Sequence, residues 1–230
     1  TLLGQTGGTS VFRQLPLANL FNDGFTSSVR PALTFDTRDN RLFPTAGVYL
    51  RGSSELAAAG FGSDNEFLRH RGVARFYYPL GSGIVAKLNM EGGHVTSPSQ
   101  DGVPIFARFF LGGILDVRGF RFRSPIPYGA NIGGNLMYFQ NLELEFPIIE
   151  KVGIRGVLFT DAGNSWNLED NYCDTAGKGV LANQGTSFKE TSPCFDGLAS
   201  VAALRTSYGF GIRWFSPLGP LRFEWGFPFA

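Results

Sequence analysis

An alternation of apolar and polar side chains with a period of two runs through most of this 230-residue chain and constrains its fold more than any other feature. Because successive side chains of a β-strand point to opposite faces, such a segment predicts a strand with one apolar and one polar face. The fifth segment is the clearest, with leucines, a tyrosine and a phenylalanine on one face and asparagines and glutamates on the other. The eight alternating segments lie at 25–38, 48–56, 68–78, 84–91, 135–146, 152–161, 204–214 and 221–229.

The lengths of these segments and of their connections narrow the fold further. A strand of roughly 9 to 13 residues can cross a bilayer at a tilt. Short turns follow the first, third, fifth and seventh segments, whereas longer connections lie at about 60–66, 95–133 and 164–203. Short turns at one end and long loops at the other are typical of an outer-membrane β-barrel. The prediction is therefore an all-β fold, part of an antiparallel transmembrane β-barrel over 25–230, with 1–24 left unassigned as a loop or partial strand.

Composition excludes several other classes of protein. With 31 glycines and 14% aromatic residues, the chain does not resemble a helical bundle. It also contains no apolar run of the roughly 18 residues that a transmembrane helix needs. A net charge of +1 without a basic cluster gives no attraction to nucleic acid. The 43% of apolar residues argues against disorder.

A soluble β-sandwich is the alternative fold, in which the apolar faces pack together and the polar faces meet water. Its strands are usually shorter, at about 5 to 6 residues. A sandwich also has no need for aromatic side chains at the ends of its strands, whereas membrane barrels carry aromatic girdles there. The residues predicted to form such girdles are Tyr78, Phe146, Trp166, Trp214 and Phe229.

Two cysteines, Cys173 and Cys194, flank a stretch rich in glycine, serine, threonine and asparagine within the connection at 164–203. This position predicts a disulfide that staples a surface loop in an oxidising compartment. Two unpaired thiols are the alternative.

The longest connection, at 95–133, has a composition that fits neither water nor lipid. Between residues 108 and 129 it carries phenylalanines and arginines close together. Such a segment is too apolar for an ordinary surface loop and too cationic to face lipid. Folding back into a polar barrel lumen satisfies both parts, since the arginines can there meet carboxylates on the inward faces of the strands.

Within this loop the run Val117, Arg118, Gly119, Phe120 resembles the VRGF signature in the plug loop of the BamA family of outer-membrane assembly factors, whose superfamily includes TamA and the two-partner secretion transporters. Gly119 is expected to turn the tip of the loop and Phe120 to pack against the lumen wall. Three further stretches agree with the family in order and spacing. They are TRDNRLFPTAG at 37–47, GVLFTDAGNSW at 156–166 and YGFGIRWFSPLGPLRFEWGFP at 208–228.

The resemblance implies a set of contacts in the lumen. In the family, the plug-loop arginine reaches acidic residues in an LEF segment and an FxDxG segment, which correspond here to Glu145 and Asp161. The hypothesis is that Arg118 pairs with Asp161, with Glu145 and Glu143 as further lumen partners, and so locks the loop inside the barrel. Solvated lumen carboxylates are the alternative interpretation of these positions.

The resemblance implies a function in assembly. Such a protein templates the folding and insertion of other outer-membrane proteins in the bacterial outer membrane, without a chemical reaction or a cofactor. The implied partners are unfolded outer-membrane protein clients, outer-membrane lipids and lipopolysaccharide, and periplasmic assembly lipoproteins reached through POTRA domains, which precede the barrel in the family and are missing here. A secretion transporter of the same superfamily and a passive pore are the alternatives. The family barrel has sixteen strands, so these eight are expected to be its later part.

An enzyme is not expected. His94 lies near Ser97 and Ser99, but neighbours in sequence do not make a catalytic triad, and no GxSxG context is present. His70 and His94 have no neighbours at the spacing of metal ligands, so no metal site is predicted.

Overall fold

The structure is a computed structural model that describes residues 24–99, 102–121, 133–168, 204–216 and 219–229. Over these ranges the chain forms one antiparallel sheet with short 3-10 turns. The strands are β1 (Ser28–Val29), β2 (Ala32–Asp36), β3 (Gly47–Ala57), β4 (Phe67–Gly81), β5 (Ile84–Thr96), β6 (Leu136–Ile149), β7 (Ile154–Trp166), β8 (Arg205–Ser216) and β9 (Gly219–Pro228). The 3-10 helices are Ala59–Phe61, Ile105–Ala107 and Glu150–Val152. None of the helices in these ranges has the length and apolar character needed to span a membrane.

Two of the sequence predictions concern residues outside the described ranges. The unassigned segment 1–24 lies there except for its last residue. The disulfide between Cys173 and Cys194 and most of the connection at 164–203 lie there as well. These stay predictions.

The order of the strands in the sheet follows their order in the chain. From β3 onward, each strand pairs with the next one in antiparallel register. Both β1 and β2 pair with β3, so the nine strands occupy eight positions, one for each alternating segment. The predicted fold class, an all-β antiparallel sheet of barrel type, is confirmed.

The first alternating segment is not one continuous strand, as the sequence predicted, but two short ones separated at Arg30 and Pro31. Proline has no backbone N–H to donate to a sheet ladder and therefore interrupts pairing. Its carbonyl still participates, because the oxygen of Pro31 accepts a hydrogen bond from the nitrogen of Ser54 at 3.2 Å.

The remaining strands are longer than the alternating segments that predicted them. β4 has 15 residues and β5 has 13. The fourth segment was predicted to end near residue 91, because Gly92 and Gly93 have no side chains to continue the alternation. In the structure β5 continues through both glycines to Thr96, inside the range assigned to the plug loop.

The two faces of the sheet have the polarity expected of a membrane barrel. The apolar side chains that alternate along the strands lie on the exposed face, and Leu33, with 84% of its surface accessible, is the extreme case. The opposite face carries buried charged and polar side chains, among them Asp161 at 0% exposure. A soluble sandwich would bury the apolar face instead. The exposed apolar residues of the strands include Leu50, Phe76, Leu142, Leu158, Phe210, Phe223 and Trp225.

The aromatic girdle is only partly as predicted. Tyr78 and Phe229, at strand ends, are 67% and 55% exposed. Trp166 is 3% exposed and is therefore buried, so its assignment to the girdle was wrong. Its strand, β7, ends beside the start of β6, where Trp166 is paired with Leu136.

An apolar cluster fills part of the lumen beneath the long loop. Buried side chains of the loop, such as Val103, Phe109 and Leu111, pack there against Met137 and Phe139 of β6. Gly93 of β5 makes room for this packing, because a Cβ atom at this position would lie 2.6 Å from the ring of Phe109. The cluster holds the body of the loop inside the sheet, and the polar contacts described next hold Arg118.

Candidate functional site

The long loop between β5 and β6 enters the lumen, and its described part is anchored at both ends of the run 102–121. At the start, the guanidinium of Arg108 donates to the carbonyl of Val103 and to Oδ1 of Asn167, both at 3.0 Å. An isolated bridge joins Phe109 to Gly134. These bonds fix the direction in which the loop enters the lumen. Its tip, the VRGF run, then reaches the strands that carry the inward carboxylates.

Arg118 is the centre of the tip. Its Nε and Nη2 atoms donate to the two carboxylate oxygens of Asp161 at 2.8 and 2.7 Å. The backbone nitrogen of Arg118 donates to the same carboxylate at 2.9 Å. The arginine side chain is 6% exposed and that of Asp161 is 0% exposed. Two parallel bonds between a planar guanidinium and a carboxylate form a geometry that lysine cannot reproduce.

The same guanidinium reaches two further carboxylates and one ring. Its Nη1 donates to Glu143 on β6 at 2.7 Å and to Glu224 on β9 at 2.9 Å. The guanidinium carbon lies 3.5 Å from the centroid of the Phe159 ring, within cation–π distance. One loop residue therefore binds β6, β7 and β9 at once.

Glu145, predicted as a neighbour of Arg118, has different partners in the structure. Its carboxylate accepts hydrogen bonds from Nζ of Lys87 at 2.7 Å and from Nη1 of Arg213 at 3.0 Å, and it forms an ion pair with Arg155. Glu145 is thus linked to Arg118 only indirectly, through an arginine that binds Glu145 and also two of the carboxylates bound by Arg118.

Arg213 on β8 is that link, and the sequence analysis did not assign it a role in the site. Its guanidinium donates to Glu143 at 2.8 Å and to Glu224 at 2.8 Å, in addition to Glu145. Two arginines therefore share Glu143 and Glu224 between them. The alternation already placed Arg213 and Glu224 on inward faces, but only the pairing of Gly211 with Glu224 and of Arg213 with Arg222 reveals that they meet.

The turn at the loop tip depends on two glycines. Gly119 has φ of +89°, in the region that residues with side chains avoid. Opposite it, a Cβ atom on Gly226 of β9 would lie 2.6 Å from the nitrogen of Gly119. The tip therefore contacts the backbone of the wall directly. Phe120, the last residue of the run, packs against the apolar cluster.

Asp116 is a titratable residue of the loop directly before the VRGF run. Burial, reinforced by the negative charge of Glu91, raises the pKa of its carboxyl from 3.8 to about 6, against the opposing effect of Arg71. The same segment is held to the wall by the amide of Asn141, which donates to the backbone carbonyl of Asp116.

We expect docking of the loop to weaken as the pH rises from about 4 to about 6, the range between the ordinary and the raised pKa of Asp116. A carboxyl with a raised pKa binds its proton more tightly in the docked loop than in the released one. Its favourable contribution is therefore complete below about pH 4 and is lost as the pH rises towards 6. Hydrogen exchange of the loop peptide in the full-length protein, corrected for intrinsic exchange, should show lower protection at pH 7.5 than at pH 5. Asp116→Asn should flatten this profile, and an unchanged profile would contradict the assignment.

The two histidines are neighbours in the structure, although they are distant in sequence. His70 on β4 is paired in register with His94 on β5, and both side chains lie on the outward face. No group of three or more histidine, cysteine, aspartate or glutamate side chains in the described part of the chain could hold a metal ion.

The geometry of the site is that of a clamp. Each of these lumen carboxylates accepts hydrogen bonds from arginine or lysine. Arg118 of the loop binds β6, β7 and β9, and Arg213 of β8 binds two of the same carboxylates. An outward apolar sheet with charged side chains inside and a loop fixed in the lumen defines a transmembrane β-barrel with an internal plug.

The comparison with known proteins agrees with this class. The model of the Omp85 superfamily domain matches residues 10–230, and the chain belongs to that superfamily. It is 29% identical over 212 residues to the outer membrane protein assembly factor BamA of Nitratidesulfovibrio vulgaris, a match that covers 90% of this chain and 23% of the relative. It is 30% identical over 209 residues to BamA of Neisseria meningitidis serogroup B, covering 83% of this chain and 25% of the relative.

Similarity extends also to an animal protein and to a solved structure. The chain is 28% identical to the sorting and assembly machinery component 50 homolog of Mus musculus, over 81% of this chain and 37% of the relative. The crystal structure of BamA from Haemophilus ducreyi lacking POTRA domains 1-3 superimposes with a TM-score of 0.71 and 24% identity, covering 88% of this chain and 39% of that one. The chain thus spans about a quarter of the length of the two bacterial relatives. The resemblance inferred from the VRGF run is confirmed.

Proposed function

We propose that the protein containing this chain assists the folding and insertion of other β-barrel proteins into the outer membrane of a bacterium. The observation that carries the proposal is the family match over 10–230, with relatives named for assembly in a bacterium and in the mouse. Both printed names contain the word assembly. The activity requires no chemical step and no cofactor, because an added strand gains its stability from backbone hydrogen bonds and burial in lipid.

The clamp at Arg118 supports this proposal through its mechanical effect. A barrel that accepts client strands has to open its pairing at one place while the remaining wall stays rigid. Arg118 of the loop and Arg213 of β8 together tie β6, β7, β8 and β9 through buried ion pairs, so this part of the wall stays paired. We infer that the described strands form the fixed part of the barrel, against which the rest moves.

The partners follow from the same proposal. They are unfolded outer-membrane protein clients, the lipids and lipopolysaccharide of the surrounding membrane, and assembly lipoproteins bound through periplasmic POTRA domains of the full-length protein. The exposed apolar face supports the lipid contact.

The test uses the full-length protein reconstituted into liposomes with a urea-denatured barrel client. The folded fraction of the client is followed over time by its shift in gel mobility without heating. We expect client folding at least about tenfold faster than in empty liposomes, and slower in Arg118→Ala than in the wild type. Arg121→Ala, an exposed arginine of the same loop, is the matched control. Client folding no faster than in empty liposomes would refute assembly, and client released inside the liposomes would indicate a secretion transporter.

A further inference from the structure

Three glycines lie side by side on the outward face of the sheet. Gly52 of β3 is paired with Gly72 of β4, and Gly72 is paired with Gly92 of β5. A Cβ atom added to Gly52 or Gly72 would meet nothing within 4 Å, and one on Gly92 would meet only atoms at 3.7 Å or more. The three residues therefore form the floor of a trough across three strands. Glycine inside a strand is destabilising and often marks a place where another molecule approaches the backbone closely. Three glycines in register therefore indicate such a place.

The walls of this glycine trough are apolar. Leu33 lies at one end, paired with Gly52, and Tyr138 lies at the other, paired with Gly92. The side towards the short turns is formed by the next outward residues of β3, β4 and β5. The trough has a volume of about 670 Å³. Its side walls are Leu50, Ala74 and Met90.

On the opposite side, the next outward row beyond the residues that line the trough is polar. One outward position nearer to the long loops, Ser54, His70 and His94 form the adjacent row, again in register. Polar side chains on the lipid face of a barrel are unfavourable except near the membrane interfaces. These residues lie close to the ends of their strands that carry the long loops, which places the two imidazoles at the level of lipid head groups.

We propose that the glycine trough binds one lipid whose head group carries a phosphate, in the leaflet on the side of the long loops. An acyl chain lies over the glycines, where the absence of side chains lets it contact the backbone. The phosphate accepts hydrogen bonds from the imidazoles of His70 and His94 and from the hydroxyl of Ser54. Strands in such barrels tilt by about 35–45°, so a row of paired residues runs obliquely through the leaflet, as a bound chain would.

Two features favour a lipid over a protein partner. The trough opens onto the exposed apolar face, where lipid is the surrounding solvent. The apolar floor and the neighbouring hydrogen-bond donors also match the two parts of a lipid. The floor matches the acyl chain, and the donors, which lie nearer to the interface, match the head group. The inference does not depend on client insertion and holds for any barrel of this sequence in a membrane.

The test is native mass spectrometry of the full-length protein in detergent, titrated separately with phosphatidic acid, with a diacylglycerol of the same chains and with inorganic phosphate. We expect one tightly bound phosphatidic acid, about tenfold weaker binding of diacylglycerol and no retention of phosphate. Retention of phosphate alone, or equal binding of the two lipids, would overturn the proposal.

Variants locate the site. Gly72→Leu fills the trough and should weaken binding of both lipids by about tenfold, and the backbone of Gly72 is one that leucine can adopt. Ala86→Leu places the same side chain on the outward face of β5 near the short turns, and it should bind both lipids like the wild type. The double variant His70→Gln with His94→Gln should lower binding of phosphatidic acid to the level of diacylglycerol. Unchanged binding in Gly72→Leu, or a protein dimer in place of a lipid adduct, would refute the lipid site.

Discussion

Arg118→Ala is expected to destabilise the folded barrel by about 3 to 5 kcal/mol, the usual cost of removing one partner from a buried ion pair. Asp161 accounts for most of this loss. Among the described contacts, the hydrogen bonds to its carboxylate all come from Arg118. Without Arg118, this carboxylate, which is 0% exposed, loses the hydrogen bonds that offset the cost of its burial. Glu143 and Glu224 lose less, because Arg213 still binds both.

The measurement is urea unfolding of the full-length protein in detergent micelles, followed by tryptophan fluorescence. Arg118→Lys keeps the charge but cannot form two parallel bonds to Asp161, so it should recover less than half of the lost stability. Arg121→Ala, in the same loop and exposed, should unfold within about 0.5 kcal/mol of the wild type. An unfolding midpoint for Arg118→Ala equal to that of the wild type would show that the clamp contributes nothing to the fold.

Much of the fold was predictable because membrane strands repeat one simple pattern. Each strand must present apolar side chains to lipid, so the alternation at residues 136–146 identifies both the strand and its outward face. The same logic placed Asp161 and Glu145 inside. The break at Pro31 and the extension of β5 through Gly92 were missed, since the first depends on a lost donor and the second on residues without side chains.

The contacts inside the lumen were harder to predict than which side chains point inward and which point outward. Whether Arg118 meets Glu143 or Glu145 depends on the curvature of the sheet and on the depth of the loop, and neither is encoded in a period of two. Arg213 illustrates the same limit, because its two partners lie on different strands, Glu224 on β9 and Glu143 on β6. The alignment of Gly52, Gly72 and Gly92 could not be predicted either, because it depends on how β3, β4 and β5 pair with one another.

The double variant of Arg118→Ala with Arg213→Ala is expected to lose more stability than the sum of the two single variants. Each arginine alone can still neutralise Glu143 and Glu224, so either single variant leaves these carboxylates with a cation. When both are removed, Glu143 loses the two cations that bind it, while Glu224 retains only Arg222. Arg213→Ala by itself is partly compensated, because Lys87 and Arg155 remain at Glu145.

The expected excess is about 0.5 to 3 kcal/mol, the range found for residues that share partners. It is measured as the coupling free energy of a double-mutant cycle, from urea unfolding of the wild type, both single variants and the double variant. The control cycle combines Arg213→Ala with Arg71→Ala, whose ion pair is with Glu91 on β5. Arg71 and Arg213 share no partner among the described contacts, and β4 and β8 are about 19 Å apart across the sheet, so their effects should add within about 0.5 kcal/mol. If the first cycle were as additive as the control, Glu143 and Glu224 would not couple the loop to the wall, and Asp161 would be the one carboxylate, among the described contacts, that holds Arg118.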